Sequence, residues 1–201
     1  KFNEREGNSC HIHLSFRDKN GNPILAGDAG DGLSKEGRAY IAGIQKHMRE
    51  LTLLFAPNIN SYKRYKAGTF APTAIKWGRD NRTCALRLVG QGQSLRVENR
   101  VPGGDVNPYL AVAGMVAAGL SGIEENAELE PIFQGNAYAL ETDRVPTSLR
   151  EARDLWANSS WVRDTFGEDV QKHYTHMADT ELDAFGRAVT DWERFRSFER
   201  M

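Results

Sequence analysis

Apolar and polar positions alternate with period two in short stretches of the first half of the chain and with helical period through most of the second. Cys10 to Phe16 (CHIHLSF) puts Cys10, Ile12, Leu14 and Phe16 on one face and His11, His13 and Ser15 on the other, the pattern of a strand with one side against a core. The turn formers of Arg17 to Pro23 end it. An amphipathic helix opening on Ser34 as N-cap carries Ile41, Ile44, Met48 and Leu51 inward and is predicted to stop before Pro57. Thr83 to Leu88 and Ser94 to Arg100 flank the loop GQGQ and predict a hairpin. In its second arm Arg96, Glu98 and Arg100 share one face, while Leu95, Val97 and Asn99 share the other. Asn107 and Pro108 supply the cap and first turn of a helix over 108–120, whose small apolar residues all round predict full burial. Ser148 and Glu151 form a capping-box pattern opening another helix, and the stretch from about 167 to 196 reads as helical and acidic. The fold class expected is α+β: antiparallel strands carrying His11, Arg87 and Glu98 on one face, backed by helices.

Composition narrows the function classes. With 201 residues, 40% hydrophobic and 26% charged, the chain is an ordinary globular domain or part of a larger one, long enough to bury one core. No uninterrupted apolar run reaches membrane-spanning length and neither end has the form of a signal peptide, so a cytoplasmic protein without a membrane partner is expected. Cys10 and Cys84 lie far apart in apolar stretches and read as buried free thiols. The net charge of -1 conceals a basic segment: Ser61 to Arg100 holds nine Lys or Arg against two acids. An anionic partner is implied. Nucleic-acid readers interleave aromatics with their basic face or present a recognition helix; neither pattern is evident, which favours small phosphorylated or carboxylated ligands over nucleic acid.

The polar faces carry candidate chemistry. An imidazole at His11 and a carboxylate at Glu98 suit a divalent cation, and the surrounding guanidiniums suit phosphate oxygens. Taken alone, an HxH pair is more often satisfied core or surface histidines than metal ligands, and the Arg-Glu-Arg alternation reads equally as a structural ion-pair ladder. A magnesium-type site wants several oxygen ligands, and the first half of the chain holds too few suitably placed acids to complete one.

Four motifs, in order across residues 7 to 123, resemble those of bacterial-type glutamine synthetases. NSCHIHLSF resembles GSGMHxHxSL, SYKRYKAGTFAP resembles SYKRLxPGYEAP, and DNRTCALRL resembles RNRSAxIRI. LRVENRVPGGDVNPYLAVAGMVAAGLSGI resembles RIEVRxPDxxANPYLxxAAxLxAGLxGI. The resemblance implies the C-terminal portion of such a catalytic domain. The N-terminal beta-grasp domain and most metal-binding glutamates are not among these residues, so the chain is expected to be truncated and inactive alone. It further implies His11 and Glu98 as ligands of Mg or Mn, and His13, Ser15, Arg87 and Arg96 at the ATP site. Gly7, Arg64 and Arg100 would bind glutamate, and Arg82 would steady the phosphoryl group in transit. ATP would phosphorylate the glutamate side chain and an amine would attack the acyl phosphate. Family members form rings with shared active sites, which implies a homo-oligomer for the full-length protein.

Two positions depart from the pattern. Phe70 stands where PGYEAP has the glutamate that takes a proton from ammonium, and Glu6 stands where the family has Asn beside the glycine at Gly7. Phe70 suits the carbon chain of a larger amine, as in the gamma-glutamylpolyamine synthetases, the subfamily this chain resembles. Ammonia-using glutamine synthetases and non-catalytic members of the family are the alternative implications.

Overall fold

The structure, a computed structural model, describes residues 1–66 and 69–198. Its elements follow in the order β1 (Ile12–Leu14), α1 (Lys35–Phe55), a 3-10 turn (Ile59–Arg64), β2 (Trp77–Arg79), β3 (Leu86–Val89), β4 (Arg96–Asn99) and α2 (Pro108–Glu124). The chain continues with α3 (Leu149–Asn158), α4 (Ser160–Phe166), α5 (Glu168–Arg187) and α6 (Asp191–Phe198). None of the described helices is long and apolar enough to cross a membrane.

The fold is α+β as expected, with a four-stranded sheet in the order β1-β4-β3-β2. The hairpin expected around GQGQ forms as the antiparallel pair β3 and β4, and β1 lies antiparallel on the other side of β4. The edge strand β2 is a correction to the all-antiparallel expectation, because it pairs in parallel with β3. Residues 80–85 bring the chain back beside itself, with Asp80 in the left-handed region at φ 50° and its N–H bonded to Leu88 O at 3.0 Å. Three residues are too few to show a period, so Trp77–Arg79 was invisible as a strand.

Helix α1 begins where its cap dictates: Ser34 Oγ accepts from Gly37 N at 2.8 Å and donates to Ile24 O at 2.6 Å. Ile41, Ile44, Met48 and Leu51 are all buried, as the helical period requires. Asn107 caps α2, with Pro108 at its start. Full burial of α2 is not observed. Ala111, Gly114, Met115, Ala118, Gly119 and Gly122 are buried, but Tyr109 and Leu120 are exposed. The small residues serve one close crossing rather than an all-round core. A Cβ added at Gly122 would stand 2.7 Å from Gly43 Cα, and one at Gly119 would enter the Tyr40 ring.

That crossing carries a stability prediction. Gly43→Ala should destabilise by about 1–3 kcal/mol through overpacking against α2, although alanine is the better helix former by about 1 kcal/mol. Gly186→Ala in α5, where nothing lies within 4 Å of the added methyl, should instead leave stability unchanged or raised. Urea unfolding of the two variants checks this, and equal midpoints would contradict it.

Ser148 caps α3 by accepting from Glu151 N at 3.2 Å, and Glu151 Oε2 reaches back to Thr147 N at 3.0 Å. The tail is helical as expected, and α5 is fastened by Gln171, whose Nε2 donates to Trp156 O and Ser159 O, each at 2.8 Å. Of the two thiols, Cys84 is buried and its pKa is pushed up to about 11 by desolvation. Cys10 is only half-buried, a correction to the sequence expectation, since it sits at the rim where β1 begins.

Candidate active site

Strand register assembles the site. The β1–β4 pairing puts His13 opposite Glu98, and the β3–β4 pairing puts Arg87 opposite the same residue. Period two then carries His11 and Arg100 to the same face. Glu98 is 2% exposed, and burial of a carboxylate demands such company. Its Oε1 accepts from Arg100 Nη1 at 2.9 Å and lies 3.1 Å from His11 Nδ1 and 3.6 Å from His13 Nε2. Its Oε2 accepts from Arg87 Nη1 at 3.1 Å. Arg87 extends the chain of charges outward, donating through Nη2 to Asp80 Oδ1 at 2.7 Å.

The electrostatics favour a neutral imidazole at His11. Burial, reinforced by the Arg100 cation, holds His11 below the usual histidine range despite the attraction of Glu98. A neutral ring offers a lone pair, which a metal ligand must have. Desolvation works against the Arg87 guanidinium, but hydrogen bonds to Asp80 and Glu98 outweigh it and raise its pKa. Among the described residues no three of His, Cys, Asp and Glu are placed to share one metal ion. His11 and Glu98, 3.1 Å apart, supply an imidazole and a carboxylate, two donor types that a divalent cation takes.

Two other expected residues meet elsewhere. Arg64, 6% exposed at the end of the 3-10 turn, donates to Val101 O and lies over the Tyr65 ring at 4.9 Å. Gly7 rests on its aliphatic stem, where an added Cβ would come within 3.2 Å of Arg64 Cγ and Cδ. Both line a cleft of about 470 Å³ shared with Asn58, Ser61 and Asp105. Thr69 Oγ1 donates to Arg64 O at 2.6 Å. The next residue, Phe70, is thus presented from a turn tied to Arg64, 76% exposed and at φ 58°.

Among the described residues, Arg82, Ser15 and Arg96 make no hydrogen bond or ion pair with Glu98. Arg82 is exposed on the turn between β2 and β3, bordering a cleft of about 600 Å³ with Phe133 and Gly135. That turn is pinned by Asn81 Nδ2 donating to Gly135 O at 3.0 Å and by Ala137 N donating to Thr83 Oγ1 at 2.9 Å. Ser15 is exposed just beyond β1. Arg96 Nη1 donates to Ser94 O at 3.0 Å. Asp80 and Asp105 were missed from sequence: Asp80 meets Arg87 only through the turn between β2 and β3, and the partners of Asp105 lie more than forty residues away. An acid following two glycines, as in GGD at 103–105, was the available signal for the second.

Residues 1–197 match the family described as glutamine synthetase, catalytic domain. The chain is 60% identical over 201 residues to the gamma-glutamylethanolamide synthetase of Streptomyces coelicolor, covering 100% of this chain and 43% of that protein. It is 36% identical over 198 residues to a glutamate–isopropylamine ligase of Pseudomonas sp, covering 96% of this chain and 43% of that one. Two solved structures share the fold. Apo GmaS superposes with a TM-score of 0.87 at 31% identity, over 96% of this chain and 45% of that one. An ADP complex of GmaS gives 0.85 at 30% identity, over 96% of this chain and 46% of that one. The chain belongs to the glutamine synthetase family, within the catalytic domain. It spans less than half the length of these relatives.

Proposed function

We propose that the protein to which this chain belongs is an ATP-dependent ligase that joins the side-chain carboxylate of glutamate to an organic amine. The observation that carries this reading is the buried Glu98 with His11, Arg87 and Arg100 converging on it, on a sheet that matches the family throughout. Oxygen of the glutamate carboxylate attacks the terminal phosphorus of ATP, giving an acyl phosphate and ADP. The amine nitrogen then attacks the acyl carbon, inorganic phosphate leaves, and the nitrogen gives up a proton.

Each group of residues has a part. Arg64, Arg100 and the backbone at Gly7 bind glutamate; Arg82 meets the charge on the phosphoryl group in transit; His13, Ser15, Arg87 and Arg96 face the nucleotide. His11 and Glu98, with carboxylates from outside these 201 residues, hold Mg or Mn, whose charge offsets that of the phosphates. Nucleotide use is supported by the ADP complex of the GmaS relative. Assembly into a cytoplasmic homo-oligomeric ring belongs to the same proposal and rests on the family resemblance alone.

The amine is proposed to carry a carbon chain. Phe70 offers apolar surface, worth about 0.8 kcal/mol for each methylene buried, and supplies neither the charge nor the base that ammonium needs. Between the polyamine implied by sequence and a shorter monoamine, the names of the two relatives favour the monoamine. The excess of Lys and Arg from Ser61 to Arg100 also repels a polycation. Steady-state assays of the full-length enzyme with ammonium, ethanolamine, isopropylamine, putrescine and spermidine test this. Ethanolamine or isopropylamine should give the highest kcat/KM; a maximum with ammonium would refute the reading of Phe70, and one with spermidine would return the choice to polyamines.

A further inference from the structure

The backbone segments bearing Gly7, Arg64 and Arg100 come from distant parts of the chain, and they meet at one short loop, Pro102 to Asp105. Cys10 N donates to Pro102 O at 2.9 Å and Gly104 N to Asn8 O at 3.0 Å, so the loop holds the Gly7 segment from both sides of Ser9. Gly103 N donates to Phe55 O at 3.0 Å, which ties the loop to the end of α1. The third attachment is made by a side chain. Asp105 Oδ2 accepts from Ser61 Oγ at 2.6 Å and from Asn58 Nδ2 at 3.0 Å, gripping the 3-10 turn Ile59–Arg64 at its first residues. Ser61 Oγ also accepts from Asn58 N at 3.0 Å, so the carboxylate terminates the network that starts the turn.

Space for this carboxylate is made by a glycine. A Cβ at Gly103 would stand 2.5 Å from Asp105 Oδ1, far inside contact distance, so any larger residue at 103 would push the carboxylate away. The family pattern has aspartate at that position, and here glycine occupies it while the acid stands two residues later. Asp105 does not touch Arg64 within ion-pair distance. Its negative charge nevertheless faces the guanidinium across the cleft that both line, and Asp105 ionises more readily than an ordinary aspartate: burial opposes this, but the Ser61 and Asn58 hydrogen bonds and, more weakly, Arg64 outweigh it.

We propose that Asp105 is a positioning residue of the glutamate subsite, setting the place of Arg64 by clamping the Ile59–Arg64 turn to the loop that follows β4. The proposal rests on the ligase reading, in which Arg64 binds glutamate. Asp105 itself contacts neither glutamate nor ATP; it fixes the backbone from which Arg64 reaches out, and a misplacement of about 1 Å in a binding group is enough to cost affinity. Freed from the clamp, the turn keeps its hydrophobic anchors, Tyr62 and Tyr65, both buried, so the fold survives while the guanidinium is left with its bond to Val101 O and its place over the Tyr65 ring as its remaining holds.

The test is steady-state kinetics of the full-length enzyme with two variants. Asp105→Ala removes the clamp. Gly103→Ala leaves the acid in the sequence but displaces its carboxylate, and the displaced atoms are the flexible end of a side chain, so this variant folds if the first does not. Both should raise KM for glutamate, by roughly tenfold and threefold respectively, with KM for ATP and for the amine within about twofold of wild type and kcat within about threefold. Amide hydrogen exchange should quicken across 58–65 in each. A glutamate KM within twofold of wild type in both variants, or a parallel rise in every KM, would overturn the positioning role. A wild-type enzyme without glutamate-dependent phosphate release would instead overturn the ligase reading on which it stands.

Discussion

Replacing Arg82 by alanine in the full-length enzyme is expected to lower kcat by about 10²–10³ while leaving each KM within a few-fold, the signature of an interaction that strengthens only as charge develops in the transition state. The structure makes this a clean substitution. The guanidinium is exposed and, among the described residues, engages in no hydrogen bond or ion pair, so its removal strands no partner. The turn that carries it is held by its neighbours: Asp80 bonds Arg87, Asn81 bonds Gly135, and Thr83 bonds Ala137. Stability should therefore change by no more than about 0.5 kcal/mol. Comparing kcat with each KM, alongside thermal unfolding, checks both halves. Near-normal turnover would make Arg82 an ordinary surface cation and would break the transfer of roles from the family at its most mechanistic point.

Phe70→Glu should shift substrate choice toward ammonium by roughly tenfold or more, measured as the ratio of kcat/KM for ammonium to that for ethanolamine. A carboxylate attracts the small cation with full charge and accepts the proton it must lose before attack. A phenyl ring offers a cation-π attraction of about 0.5–2 kcal/mol and no base. Backbone conformation does not confound the comparison, since residue 70 sits at φ 58° whichever side chain it bears and both Phe and Glu meet the same left-handed strain there. The ring is also 76% exposed, so replacing it disturbs no core. An unchanged ratio would show that this position does not set the choice of amine.

What the sequence determined by itself was whatever depends on near neighbours along the chain. Period two separated His11, His13 and Glu98 from Ile12, Leu14 and Val97, and those faces are the observed ones because a strand alternates its side chains regardless of what it packs against. Ser34, Asn107 and Ser148 marked helix starts, since a cap satisfies N–H groups only two or three residues away. The motifs in their order identified the family.

Only the tertiary structure decided what depends on register and close approach. Nothing local in the chain says that His13 and Arg87 face the same glutamate, or that Arg87 also reaches Asp80; that follows from which residues of β1, β3 and β4 align. The small residues of α2 have the composition of an all-round core helix, and only the crossing at Gly43 and Gly122 shows that they exist to let two backbones approach while Tyr109 and Leu120 remain in solvent. The same holds for Asp105. Its partners Asn58 and Ser61 lie more than forty residues earlier in the chain, and an acid's side chain acquires a role only when the fold brings donors to it, because hydrogen bonds act over about 3 Å of space and not along sequence.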